Sequence, residues 1–233
     1  MKKKMTQKLF DLSNKTIILT GSAGRLGSNF AEILADAGAN LVLIDINEKE
    51  NKKLEKRITK KFKIKCISSN ANITIKKELL ELAKIIIEKF GKIDGLVNNA
   101  FYNPRTNIEQ SARKFEDYSL DLWNDVVSVN LTGVFLCSQT FGKIMAKQKE
   151  GGSIVNISSI YGINGADQRI YGDSKLNSPP SYAATKGAVV NFTKYLAAFW
   201  NRKNIRVNTM TLGGVEDKSY MNKNLLKIIQ IKQ

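Results

Sequence analysis

Lys15-Thr-Ile-Ile-Leu-Thr20 runs directly into Gly21-Ser-Ala-Gly24-Arg25-Leu26-Gly27 and then into an amphipathic stretch reaching about Ala37. No other part of the sequence narrows the possible folds as much. A short β-branched apolar run bounded by glycines reads as a buried strand, and the amphipathic stretch reads as a helix. The glycine-rich turn between them places backbone N–H groups at a helix N-terminus, a site suited to a pyrophosphate. A second apolar run, Leu41-Val-Leu-Ile-Asp45, ends in a carboxylate 18 residues beyond Gly27. A dinucleotide-binding fold sets an acid there against the adenosine ribose hydroxyls. The plain alternative is a glycine-punctuated turn with Asp45 opening a second turn.

The same alternation continues along the chain. Candidate strands occupy 16–20, 40–45, 63–67, 93–98, 152–158 and 205–210, and candidate helices occupy 25–37, 48–61, 75–90, 118–148 (broken near Val129-Asn130) and 181–202. Strands alternating with helices argue for an α/β fold, a parallel sheet covered on both faces. Right-handed crossovers then give the doubly wound, Rossmann-like order 3-2-1-4-5-6. No repeat or Pro/Gly-rich linker interrupts the 233 residues, so 1–233 reads as one domain. Gly21 to Gly27, Asp45, Asn98 to Ala100 and Ser159 all fall at carboxyl ends of strands, where such folds place their ligand crevice.

Composition excludes several other classes. No apolar run is long enough to span a membrane. Met1-Lys-Lys-Lys4 is followed by polar Met5-Thr-Gln-Lys8 where a secretion signal needs its apolar segment. Cys66 and Cys137 form no CxxC pair, which fits free thiols in a reducing cytoplasm. The absence of histidine removes histidine-based triads and histidine metal sites, and no metal site is expected. The net charge of +16 attracts anions. No aromatic-interleaved basic strip accompanies it, so no specific nucleic-acid partner is expected.

Chemistry enters with Tyr182-Ala-Ala-Thr-Lys186, which lies 23 residues beyond Ser159 in Asn156-Ile-Ser-Ser159. Residues four apart share a helix face, so a phenol and an ammonium stand side by side. A free tyrosine, with a pKa near ~10, exchanges protons poorly at neutral pH, and lowering it by about 3 units takes roughly 4 kcal/mol. One positive charge at ~4–5 Å supplies about that at an effective dielectric near 20. Tyr182 therefore reads as a general acid/base, Lys186 as its electrostatic partner and Ser159 as a donor to a carbonyl oxygen. Ser158 is the alternative serine, and a helix cap is the plain reading of Asn130.

Taken together, these residues resemble the short-chain dehydrogenase/reductase family, from about Phe10 to Val215. Gly21, Gly24, Arg25, Leu26 and Gly27 look like its cofactor loop, and Asn98-Asn99-Ala100 looks like its Asn-Asn-Ala-Gly strand end. Asn130, in Val129-Asn-Leu-Thr-Gly133, matches the asparagine that distorts a helix and holds a water of the proton relay. Ser159, Tyr182 and Lys186 match the catalytic serine, tyrosine and lysine. Val207 to Val215 looks like the segment that grips the nicotinamide, with Val215 contacting the cofactor. The resemblance implies NAD(P)-dependent interconversion of a secondary alcohol and a ketone. Lys186 would also bind the nicotinamide ribose. Asp45 favours NAD by repelling a 2′-phosphate, and Arg25 offers the opposing charge that would admit NADP. A homodimer through the 118–148 and 181–202 helices is expected.

Several positions depart from the family pattern. The spacing GxxGxxG replaces the more common GxxxGxG and puts Arg25 at a usual glycine. Phe101 replaces the glycine after Ala100, Asn72 stands where an aspartate often contacts adenine, Leu212 replaces a proline and Asp217 a threonine. The stretch Asn164 to Ser181 lengthens the interval between Ser159 and Tyr182, and its Arg169, Tyr171 and Lys175 could hold an anionic, hydroxyl-rich substrate. The alternative is a solvent-exposed loop. The insertion resembles oxidoreductases of flagellin-glycan and surface-polysaccharide biosynthesis, which implies a sugar or sugar-phosphate substrate. After Val215 only Glu216 to Gln233 remain, with room for one short helix at Asn222–Ile231 in place of the family's further helices and seventh strand. Two alternative functions stay open: an NAD-retaining sugar-nucleotide epimerase or dehydratase, and a non-catalytic NAD-binding remnant.

Overall fold

The computed structural model describes residues 9–102, 114–169 and 177–215. Six strands form one sheet: β1 (Thr16–Thr20), β2 (Asn40–Ile44), β3 (Cys66–Ser69), β4 (Gly95–Asn98), β5 (Gly152–Ser159) and β6 (Ile205–Leu212). Their order is β3-β2-β1-β4-β5-β6, as expected, and every pairing is parallel. The helices are α1 (Arg25–Asp36), α2 (Glu48–Lys61), α3 (Lys76–Phe90), α4 (Leu120–Val127), α5 (Val134–Met145) and α6 (Pro180–Phe199).

Alternate residues of each strand point to opposite faces, and the core divides accordingly. Ile17, Leu19, Leu41 and Leu43 pack with Ala31 and Ala35 of α1 and with Leu54 and Ile58 of α2. Ile18, Val42, Leu96 and Ile154 pack with Leu79 and Ile86 of α3, Phe141 and Met145 of α5 and Leu196 of α6. All five residues of β1 are buried. That two-sided burial is why its sequence is continuously apolar rather than alternating.

The largest differences from the sequence reading fall in the later strands, each for a local reason. The third strand lies at 66–69, not 63–67, because Leu41 pairs with Cys66. Phe62 and Ile64 supply the misleading apolar alternation while packing on the core from outside the strand. The fourth strand starts at Gly95 because the Ile93 N–H donates to Gln148 Oε1 at 2.9 Å. The fifth and sixth strands extend to Ser159 and Leu212, which pair with each other. The 118–148 helix is interrupted by a π-helical turn, Ser128–Gly133, which contains the expected break. The expected helix at 222–231 lies outside the described residues. Among the described residues β6 is an edge strand.

Candidate active site

The carboxyl ends of β1 and β4 are stitched together by Thr20 and Asn99. Thr20 Oγ1 accepts the N–H groups of Asn99 and Ala100, both at 3.0 Å. The Asn99 side-chain amide donates to the Thr20 and Gly21 carbonyls, also at 3.0 Å. This draws Gly21, at φ 64°, so close that a Cβ there would lie 2.6 Å from Ala100 Cα. A Cβ on Gly27 would lie 2.0 Å from the Gly21 oxygen. Gly24 caps α1, and no side chain bonds to that helix N-terminus. The turn is thus a bare backbone cradle at the positive end of a helix, which fits a pyrophosphate.

Asp45 closes the adjacent side. Its Oδ2 accepts the Ala23 N–H and its Oδ1 the Asn47 N–H, both at 2.9 Å. The carboxylate therefore faces the glycine turn and also opens the next turn. Asn72 Oδ1 accepts the Thr74 N–H and hydroxyl. Arg25 is exposed on the turn, and Val215 is exposed beyond β6.

Sequence reasoning missed what holds this turn from beneath. Ser22 Oγ donates to Asn51 Oδ1 at 2.8 Å, and the Asn51 amide donates to the Leu43 and Ser69 carbonyls at 3.0 Å. Asn51 is buried although it sits in a lysine-rich stretch that reads as a solvated helix. Its phase with Leu54 and Ile58 on the inner face was the available signal.

Farther along the crevice, Ser158 Oγ donates to the Lys186 carbonyl at 2.8 Å. Its hydroxyl proton therefore ties β5 to α6. Ser159 Oγ accepts the Tyr161 N–H at 3.2 Å, so its own proton is free to be donated elsewhere. Tyr182 and Lys186 stand one turn apart near the start of α6, whose first turn contains Pro180. Lys186 Nζ lies 5.7 Å from the centre of the Tyr182 ring and donates to the Ile157 carbonyl at 2.8 Å. Burial pushes its pKa down to about 8. Asn130 sits on the π-helical turn, and its amide bonds to both the N–H and the carbonyl of Tyr102. This is not a helix cap.

A buried ladder supports these strand ends. The Asn98 amide donates to Asn156 Oδ1 at 2.8 Å, and the Asn156 amide donates to Thr193 Oγ1 at 2.9 Å. In the insertion, Arg169 is exposed and its guanidinium is paired in bidentate fashion with Asp167 at 2.8 and 3.1 Å. The local ion pair with Asp167 is the arrangement that Arg169 adopts in this structure. Tyr171, Lys175 and Asp217 lie outside the described residues.

Residues 15–227 match the short chain dehydrogenase family. The chain belongs to that family. This short-chain dehydrogenase is 33% identical over 205 residues to the 2-dehydro-3-deoxy-D-gluconate 5-dehydrogenase of Dickeya dadantii, a match covering 88% of the chain and 73% of the relative. It is 30% identical over 206 residues to post-translational flagellin modification protein A of Campylobacter coli, covering 88% and 79% respectively. Its fold superposes on an NAD+-bound xylitol dehydrogenase with a TM-score of 0.76 at 28% identity, covering 88% of this chain and 73% of that one. The protein is thus an NAD(P)-dependent oxidoreductase of the short-chain type.

The likeness to the family leaves one neighbour of the site unexplained. The Phe101 ring meets the Tyr182 ring edge-on, with centroids 6.4 Å apart, and Lys186 Nζ lies over Phe101 at 5.5 Å. Its place directly after Asn98-Asn99-Ala100 was the sequence signal that it borders the crevice.

Proposed function

We propose that this short-chain dehydrogenase interconverts a secondary alcohol and a ketone on a sugar or sugar phosphate in glycan biosynthesis. It uses NAD, with Tyr182 as general acid/base. The observation that carries this reading is the pairing of Tyr182 with Lys186 on one face of α6, beside the end of β5. The polyhydroxylated substrates in the names of its relatives support the substrate class. The flagellin-modification relative supports the glycan setting.

When bound, a nicotinamide cofactor would supply the hydride acceptor for the alcohol and the hydride donor for the ketone. Everything else falls to the chain. The main-chain cradle of Gly21, Gly24, Arg25, Leu26 and Gly27 holds the pyrophosphate, with Asp45 on the adenosine ribose. Asn72, Asn99, Ala100 and Val215 line the remaining cofactor path. Tyr182 takes the hydroxyl proton in oxidation and gives it back in reduction. The Lys186 ammonium favours the phenolate and holds the nicotinamide ribose. Ser159 donates to the reacting oxygen, and Asn130 completes the catalytic set from the π-helical turn.

Residues 1–233 act as one domain in the cytoplasm, and no described helix is long and apolar enough to cross a membrane. Two copies associate through the 118–148 and 181–202 helices. Fluorescence titration with NADH and turnover on a panel of sugar acids and sugar phosphates test the reading. Turnover should vanish in Tyr182→Phe while NADH affinity survives. Retained turnover in that variant refutes the proton-transfer role.

A further inference from the structure

Lys186 is only 4% exposed, and no described carboxylate pairs with it. Burial lowers the proton affinity of an ammonium in that position, because desolvation penalises the charged form. Its one hydrogen bond goes to the Ile157 carbonyl at 2.8 Å, which leaves two of its three N–H groups without an oxygen acceptor. What faces them is aromatic. The Phe101 and Tyr182 ring centres lie 5.5 and 5.7 Å from Nζ, within reach of cation–π attraction. Phe101 also braces Tyr182 edge-on. It therefore touches both members of the pair.

Core packing does not account for this phenylalanine. Phe101 is 48% exposed and belongs to neither apolar cluster. A half-exposed ring gains little from burial, so its contribution lies in what its face and edge touch.

We propose that Phe101 is a positioning residue for the proton-transfer pair, its ring joining that of Tyr182 in an aromatic cage that keeps Lys186 charged and aimed at the tyrosine. The catalytic meaning rests on the function proposed above, whereas the charge state can be measured without it. The elements packed around α6 bring few competing groups. Its own helix presents Tyr182, and the turn after β5 presents Tyr161. Tyr102 follows Phe101, and β5 and the π-helical turn carry no ionisable side chain. Arg206 on β6 and Asp121 and Asp125 on α4 are exposed. Burial, not any of these charges, is what lowers the proton affinity of Lys186.

The test is the Lys186 titration in cofactor-free protein carrying ε-13C-labelled lysine. The Lys186 resonance is assigned by its loss in Lys186→Gln. In the wild type it should titrate near pH 8, apart from the surface lysines. Phe101→Leu keeps apolar bulk but removes the π face and should lower that midpoint by about one unit. Phe101→Tyr should restore it. An unchanged or raised midpoint in Phe101→Leu overturns the proposal. Should that variant misfold, 3,4,5-trifluorophenylalanine at position 101 decides instead: it preserves shape and depletes the ring face, and an unmoved midpoint refutes the cage. NADH titration of the same wild-type sample separates the two readings. Lost NADH binding with the predicted titration shift removes the function and leaves the cage, and the reverse pattern removes only the cage.

Discussion

Asn130 clasps the main chain of Tyr102 with both ends of its amide: Oδ1 accepts the Tyr102 N–H at 2.7 Å, and Nδ2 donates to the Tyr102 carbonyl at 3.2 Å. The π-helical turn is what carries Asn130 to this position. The clasp fixes the segment leaving β4, which includes Phe101 next to Tyr182.

Asn130→Leu should therefore cost about 1–3 kcal/mol, because two main-chain groups lose their partners. Asn130→Asp keeps the acceptor, loses the donor and should be intermediate. Chemical denaturation reads the stability, and kcat/KM on the best sugar substrate should fall by at least ~10-fold in the leucine variant. Unimpaired turnover would mean that the clasp does not order the site.

The buried Lys186 sets a pH dependence of both stability and activity. Its folded pKa of about 8 lies below the ordinary lysine value. Between those two values the unfolded chain binds more protons than the folded one, so stability rises with pH through this window. At pH 7 the buried charge costs about 3 kcal/mol. Lys186→Met should raise the denaturation midpoint at pH 7, and its advantage should shrink above pH 8. Activity moves the opposite way. Tyr182 needs a charged neighbour, so kcat/KM for alcohol oxidation should decline as pH rises past about 8. A flat alkaline limb would argue against the proposed electrostatic role of Lys186 beside Tyr182.

The fold was readable because strand burial and helix periodicity repeat over the whole chain. β1 and α1 followed from Lys15 to Ala37 alone, and the sheet order followed from handedness. The glycine turn, Asp45, Asn98 to Ala100 and Ser159 could be placed at strand ends from the sequence, whereas Tyr182 and Lys186 sit on α6 and Asn130 on the π-helical turn. What could not be read was contact across distant elements. Asn51 lies 29 positions from Ser22, yet the two share a hydrogen bond under the glycine turn. Phe101 and Tyr182 come together only because β4 and α6 flank the same crevice. The third strand was misplaced because Phe62 and Ile64 are apolar for packing outside the sheet, a pattern that period alone cannot separate from a strand.

Gly27 permits no side chain. Its Cβ would stand 2.0 Å from the Gly21 oxygen and 2.8 Å from Ser22 Cα, both rigid backbone. Gly24 meets only the Gly21 oxygen, at 3.2 Å. Gly27→Ala should cost about 1–3 kcal/mol through forced backbone shifts and weaken NADH binding at least ~10-fold. Gly24→Ala should be clearly milder. Equal NADH affinities for the two variants would show that the turn does not form the cradle.

Tyr195 and Phe199 form an exposed ladder on α6. They are stacked at 5.9 Å, and Phe192 lies 6.4 Å beyond Tyr195. Tyr195 and Phe199 are each more than half exposed, which is unusual for neighbouring large rings on an isolated surface. The double variant Tyr195→Glu, Phe199→Lys should turn a dimer into a monomer, read by light scattering at micromolar protein. A wild type that is already monomeric, or an unchanged mass, overturns the proposed association.

Asp45 should set the choice between the two nicotinamide cofactors. Its Oδ2 is anchored on the Ala23 N–H at 2.9 Å, so the carboxylate cannot easily turn away from a ligand in the glycine turn. A 2′-phosphate at ~5 Å would feel repulsion of about 3 kcal/mol per charge pair at an effective dielectric near 20, less where water screens it. Asp45→Asn removes that charge while retaining an oxygen that can still accept from Ala23. The change should lower the NAD-over-NADP preference in kcat/KM by about 10-fold or more, chiefly through tighter NADPH binding in a fluorescence titration. Arg25, exposed on the same turn, then becomes the natural partner of the phosphate. Arg25→Ala in the Asp45→Asn background should reverse most of the gain in NADPH affinity while leaving NADH affinity little changed. A preference that ignores both substitutions would assign cofactor discrimination to other residues.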